Sequence, residues 1–137
     1  MDDLIRPLEK YATFTGRASR REYWTFTICY IILIGLLSAI GKQTAQIVSI
    51  IEIGLLIPSI AVGVRRMHDV DESGWMVIIP IVSLYFSLKD GTNGKNEYGP
   101  DPSKHHGKLS VWTIVLILLL LFGIPMILVP LLTIFNL

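Results

Sequence analysis

Apolar and polar positions divide the chain into four apolar stretches joined by short polar connectors. Trp24 to Ile40 runs 17 residues without a charge, and Ile47 to Val64 is interrupted only by Glu52. Trp75 to Leu88 covers just 14 residues with Pro80 near its middle, and Leu109 to Leu137 is almost uninterrupted. A helix rises about 1.5 Å per residue and the hydrocarbon core is about 30 Å thick, so a crossing takes about 17 to 25 residues. The first, second and fourth stretches qualify. The third reaches about 21 Å at that rise, and Pro80 removes a backbone donor and bends a helix. The pattern predicts an all-α integral membrane protein, a small bundle of three to four membrane segments over 24–40, 47–64, 75–88 and 109–135. The 75–88 segment is either a short tilted crossing or re-entrant. No connector is long enough to divide domains, so 1–137 reads as one membrane domain.

Ahead of the first span, Leu4, Leu8 and Tyr11 recur at helical spacing beside Arg6, Glu9 and Lys10, which predicts an amphipathic helix in the membrane interface. Gly16 breaks that pattern. Ser19 is placed to cap the next helix with Glu22 three residues on, and Tyr23 and Trp24 read as an aromatic belt at the membrane edge. Asp2, Asp3 and Glu9 precede any apolar run, so the opening stretch is not expected to be a signal peptide. Residues 41–46 read as a tight turn. Residues 89–108 are full of turn dipeptides, among them Asp90-Gly91, Asn93-Gly94 and Gly99-Pro100.

Composition agrees with the pattern. Hydrophobic residues make up 52% of the chain and charged residues 17%, against about 25% charged in soluble domains. A net charge of +1 offers no footprint for nucleic acid. The single cysteine, Cys29, precludes an internal disulfide. Of the 12 Lys and Arg, five precede the first span, Lys42 follows it, Arg65 and Arg66 follow the second, and four lysines lie in 89–108. The positive-inside rule then places the amino terminus in the cytoplasm, 41–46 outside and 65–74 inside. A crossing third segment would strand four lysines outside, whereas re-entry keeps all basic residues but Lys42 in the cytoplasm. Re-entry is the favoured expectation.

Candidate chemistry is confined to the connectors. Arg65 and Arg66 suit a phosphate or anionic lipid-headgroup clamp, yet arginines at a span's cytoplasmic end are also ordinary stop signals. His68 and Asp69 are neighbours on a helix and face apart, which makes a poor acid/base dyad. Neither His68, Asp69, Asp71 and Glu72 nor His105-His106 has a recognised metal-ligand spacing, so no metal is expected. Glu52 lies about five residues into the second span, where a carboxylate is costly. It serves either a pathway or interhelical pairing, as in a channel or transporter subunit, or it reaches the nearby outer turn. Gly35/Ala39 and Ser59/Gly63 are small-xxx-small pairs that permit close helix contact and self-association into a homo-oligomer. Pro58, Pro125 and Pro130 add kinks. No nucleophile or nucleotide motif is present; no catalytic residue and no cofactor is assigned, and a phospholipid-acting enzyme is the weakest alternative.

Three pieces taken together, GRASRREYW at 16–24, PSIAVGVRRMHDVDESGW at 58–75 and KDGTNGKNEYGPDP at 89–102, resemble a family of small bacterial inner-membrane proteins, domain of unknown function 805. The similarity covers about residues 10–104, with the apolar segment 109–137 as an addition. It rests on Phe14, Gly16, Arg17, Arg20, Glu22, Tyr23 and Trp24; on Arg65, Arg66, His68, Asp69, Ser73, Gly74 and Trp75; and on Asn96, Tyr98, Gly99, Pro100, Asp101 and Pro102. The resemblance implies a multi-pass bacterial inner-membrane protein and no established reaction. It also implies an interfacial cluster of Arg17, Arg20, Arg21, Glu22, Arg65, Arg66, His68 and Asp69, with Glu22 and Asp69 paired against arginines. The reading is a non-enzymatic membrane protein whose cluster organises its spans and binds lipid or a partner.

Overall fold

A computed structural model of the chain describes residues 2–41, 45–102 and 110–120. Their order is α1 (Asp2–Glu9), α2 (Arg20–Ala39), α3 (Ala45–Asp69), a 3₁₀ turn (Gly74–Ile78), α4 (Pro80–Leu88) and α5 (Val111–Leu118). Among the described residues the only extended pairing is an isolated antiparallel bridge between Asn96 and Gly99. Helices α2 and α3, of 20 and 25 residues, are long and apolar enough to cross a membrane. The fold is that of an all-α membrane protein.

Both long helices extend past their apolar runs into charged flanks, and local chemistry explains why. Helix α2 starts at Arg20 because the Ser19 hydroxyl accepts the Glu22 amide at 3.1 Å, satisfying one of the orphan N–H groups of the first turn. Helix α3 runs on to Asp69 and ends in a Schellman turn. Asp71 sits at φ 66, its amide bonds to the His68 carbonyl at 3.2 Å, and the Glu72 amide returns to Met67 at 3.0 Å.

Packing is inverted relative to a soluble domain. Leu36, Ile50 and Ile53 are left 65%, 70% and 72% exposed by the protein, while Arg65 and Arg66 are fully buried. In a bilayer lipid covers the aliphatic flanks, and the interior is where charge must be placed. A small apolar cluster of Ala18, Phe26 and Val62, with Tyr23 against it, ties the start of α2 to α3. The aromatic-belt expectation is corrected here: Trp24 is buried, and its indole N–H donates to the Ser87 carbonyl at 3.1 Å inside the protein.

The 74–88 segment leaves the carboxyl end of α3 and returns to it. At its start, a Cβ on Gly74 would meet Val64 and His68; at its close, Arg66 donates to the carbonyls of Phe86, Ser87 and Lys89. Pro80 does not kink a helix. It occupies the first turn of α4, where a missing N–H costs nothing, and the 3₁₀ turn precedes it. Nine residues give α4 a rise of about 14 Å. Gly63 receives Val77 of the 3₁₀ turn, whose Cγ2 would lie 2.6 Å from an added Cβ, so this small residue accommodates the short segment rather than another span.

Helix α1 forms where the amphipathic pattern predicts and packs on α2 and α3 with Pro7 buried. Leu4, Leu8 and Tyr11 stay uncovered by protein. The Tyr11 hydroxyl donates to the Gly54 carbonyl, so the strap from 11 to 16 runs along α3 until the Gly16 carbonyl meets His68. Helix α5 opens the fourth apolar stretch with Ile114 buried. The rest of that stretch, with Pro125 and Pro130, and the pair His105-His106 lie outside the described residues.

Candidate functional site

The carboxyl end of α3 exposes carbonyls that need donors, and it carries Asp69, a carboxylate only 3% exposed. Arg17 supplies both needs at once. Its Nε and Nη2 each lie 3.0 Å from Asp69 Oδ1, and Nη2 also donates to the Thr92 carbonyl at 2.6 Å. Its Nη1 donates to the Gly94 and Gly99 carbonyls at 2.6 and 3.2 Å. One guanidinium thus joins the 16–24, 65–75 and 89–102 segments, using the rigid planar fork that lysine lacks.

The 92–99 loop is built to meet it. The Thr92 amide and hydroxyl donate to the Asp69 carbonyl at 2.8 and 3.1 Å. The Asn96 amide donates to the His68 carbonyl at 2.8 Å, and its own Oδ1 accepts the Tyr98 amide at 3.0 Å. Gly94 and Gly99 hold φ of 79° and 137°, which point their carbonyls inward without a Cβ penalty. Gly91 passes so close to Asp69 that an added Cβ would fall on the carboxylate.

A second arginine closes α4. Arg66 donates through Nη1 to Asp69 Oδ2, through Nε to the Ser87 carbonyl at 3.3 Å, and through Nη2 to the carbonyls of Phe86 and Lys89. Arg20 adds the Leu88 carbonyl at 2.9 Å and an ion pair with Asp90 at 2.9 Å. The last carbonyls of α4 are therefore capped by two guanidiniums and the Trp24 indole. Arg65, fully buried, lies 3.3 Å from Glu22 Oε1 as an ion pair, with Nε 3.4 Å from the Ala61 carbonyl. Three buried arginines face two buried carboxylates; the carboxyl ends of α3 and α4, both negative, balance the excess.

The remaining predicted residues fall around this knot. His68 is half-buried, its Nδ1 3.1 Å from the Gly16 carbonyl and its ring stacked on Tyr98 at 3.9 Å and 3°. It turns away from Asp69, as neighbours on a helix do. Arg21 is exposed, Pro100 is exposed, and Asp101 accepts the Gly94 amide at 3.4 Å. Glu52 is exposed on α3, about 20 Å along the helix from Arg65, and does not join the cluster. Sequence reasoning missed Thr92, Ser87, Gly91 and Trp24 as members. Their main contributions are backbone carbonyls, a close approach and one indole N–H, which leave no charge or spacing signature.

Chemically the arrangement is a clamp. Arg17 and Arg66 direct their donors inward, and fully buried Arg65 and Arg66 present no surface to a headgroup. Among the described residues no three His, Cys, Asp or Glu side chains gather as a metal site would require.

The three segments lie almost wholly inside the range that matches known proteins. The model of the family described as "Protein of unknown function (DUF805)" matches residues 11–100. Inner membrane protein YhaH of Escherichia coli K12 is 38% identical over 117 residues, covering 74% of this chain and 97% of its own length. Inner membrane protein YhaI of the same strain is 35% identical over 106 residues, covering 69% of this chain and 90% of its own. No solved structure matches. With the knot of Arg17, Asp69 and the 92–99 loop inside the matched range, the chain belongs to this DUF805 family of bacterial inner-membrane proteins.

Proposed function

We propose that this protein is a non-enzymatic scaffold of the inner membrane. Its cytoplasmic end is a rigid, charge-knit platform that clamps a re-entrant segment and faces the surrounding lipid. In this reading the amino terminus is cytoplasmic, residues 74–88 dip into the membrane and return, and the 65–74 and 89–102 connectors share one side. The observation that carries it is the Arg17 guanidinium, which reaches Asp69, Thr92, Gly94 and Gly99 together. A stop signal needs positive charge near the membrane and has no use for this set of partners. A span anchor would also stay wet, whereas Arg17 is 6% exposed.

Hydrogen–deuterium exchange on the full chain in lipid nanodiscs tests it. A rigid platform protects the amides of Ala18, Thr92, Asn96 and Gly99 about as well as α3, because the first two are bonded to α3 and the last two to each other inside the clamped loop. Free-loop exchange at Thr92 to Gly99 beside a protected α3 would refute the platform.

A further inference from the structure

Between α3 and the 3₁₀ turn lies a cavity of about 590 Å³, inside the range of small-molecule sites. Ile60, Val64 and His68 recur at helical spacing along one wall, and Trp75, Val77 and Ile78 form the facing wall. Tyr98 and Phe14 complete one side. Among the described lining residues none is Asp, Glu, Lys or Arg. The polar end is at His68 beside the platform, and the Ile60 end lies two turns further along α3 toward the middle of the span.

The polar end has a defined hydrogen-bonding sense. A carbonyl only accepts, so the contact of Nδ1 with the Gly16 carbonyl at 3.1 Å assigns the proton to Nδ1. In the neutral ring, Nε2 is then an acceptor. It lies 3.1 Å from where a Cβ on Gly74 would sit, so the glycine leaves that nitrogen open on the cavity side. Stacking on Tyr98 holds the ring in this orientation.

We infer that this cavity binds an uncharged, hydroxyl-headed lipid from the bilayer, of the long-chain alcohol or monoacylglycerol type. Its hydroxyl donates to His68 Nε2 and its chain lies along Ile60, Val64 and Ile78. Among the described lining residues an anionic headgroup finds no cation, and a cationic one finds no carboxylate. The inference deepens the platform reading, since the Gly16 strap and Tyr98 loop that orient His68 are both held by it.

The test uses the purified full chain in phosphatidylcholine nanodiscs at pH 8, above the ordinary imidazole pKa of about 6.5. Hexadecanol, its methyl ether and palmitate are titrated, with binding read from tryptophan fluorescence and from the rise in melting temperature. Hexadecanol is expected to bind about tenfold more tightly than the ether, which cannot donate to a buried acceptor, and more tightly than palmitate. Ile60→Trp narrows the lipid-side end at a position 41% exposed; it should weaken hexadecanol at least tenfold while leaving the ligand-free melting temperature near wild type. Gly74→Ala should weaken binding at the polar end too, with a lower ligand-free melting temperature because its methyl meets Val64 and His68. Equal affinity for alcohol and ether, tighter binding of palmitate, or unchanged affinity in Ile60→Trp would each overturn the assignment. Because Ile60 lies more than two turns along α3 from Asp69, such a failure is distinct from loss of the platform, which the amide exchange reports.

Discussion

Replacing Arg17 by Met keeps the length of the side chain and removes the donors that knit three segments. Asp69, 3% exposed, would then keep Arg66 as its ion-pair partner, and the carbonyls of Thr92, Gly94 and Gly99 would lose their guanidinium donor. Breaking a buried pair from one side costs about 3–5 kcal/mol where the surviving charge is left uncompensated; here Arg66 still faces Asp69, and the carbonyls that lose a donor, at about 1–3 kcal/mol each, bring the loss into the same range. A whole domain has about 5–15 kcal/mol to lose. Melting in detergent should therefore fall by on the order of 10 °C or more, and trypsin should cut at Lys95 before the helices unfold. Arg17→Lys keeps a charge but not the fork, and should lie between the two. The double variant Arg17→Met/Asp69→Leu also strips buried Arg66 of its carboxylate, and should melt no higher than Arg17→Met alone. Glu97→Gln, on an exposed side chain of the same loop, should stay within about 0.5 kcal/mol of wild type. An Arg17→Met protein that melts within 2 °C of wild type, on the order of the smallest shift expected for 1 kcal/mol, would refute the clamp.

Other positions give separate readings. Arg66→Met uncaps α4 and strips Asp69 of its second arginine, so it should cost about 3–5 kcal/mol by the same melting assay; a neutral result would mean that α4 needs no cap. Gly91→Ala drives a methyl onto the Asp69 carboxylate, and on backbone rather than charge grounds should destabilise by about 1–3 kcal/mol. Trp24→Phe keeps the ring and deletes the N–H to Ser87, for an expected loss of about 1–2 kcal/mol; no change would show the indole donor to be idle.

The long elements were legible because lipid enforces them. An uncharged run of 17 residues and another broken only by Glu52 have to be helices, and Ser19 with Glu22 marks where α2 begins. The short third segment was legible from its length and Pro80, although the proline begins a helix instead of bending one. Helix ends were less legible. Hydropathy stops α3 at Val64, whereas Arg65, Arg66 and Asp69 stay helical because they find partners in segments 20 to 52 residues away in the chain. Those partners are mostly carbonyls, common to every residue, so no side-chain pattern announces them. Residues 11–16 carry no charge and no motif that announces a contact, yet they strap α3, fixed by the Tyr11 hydroxyl and the Gly16 carbonyl. Membership of the cluster was indicated by the ordered motifs of the resemblance; its geometry was not.

The central claim is that the 65–74 and 89–102 connectors lie on one side of the membrane, held together by Arg17 and Arg66. Thiol labelling measures this directly. Cys29 is replaced by Ser, and single cysteines are placed at Gln43, Ser73 and Asn93, the last two on exposed side chains. Each is probed with an impermeant reagent on intact cells and again after permeabilisation. The account predicts labelling at 43 in intact cells, and labelling at 73 and 93 only after permeabilisation. Labelling at 93 without labelling at 73 in intact cells would show that the third segment crosses, and the shared cluster could not exist.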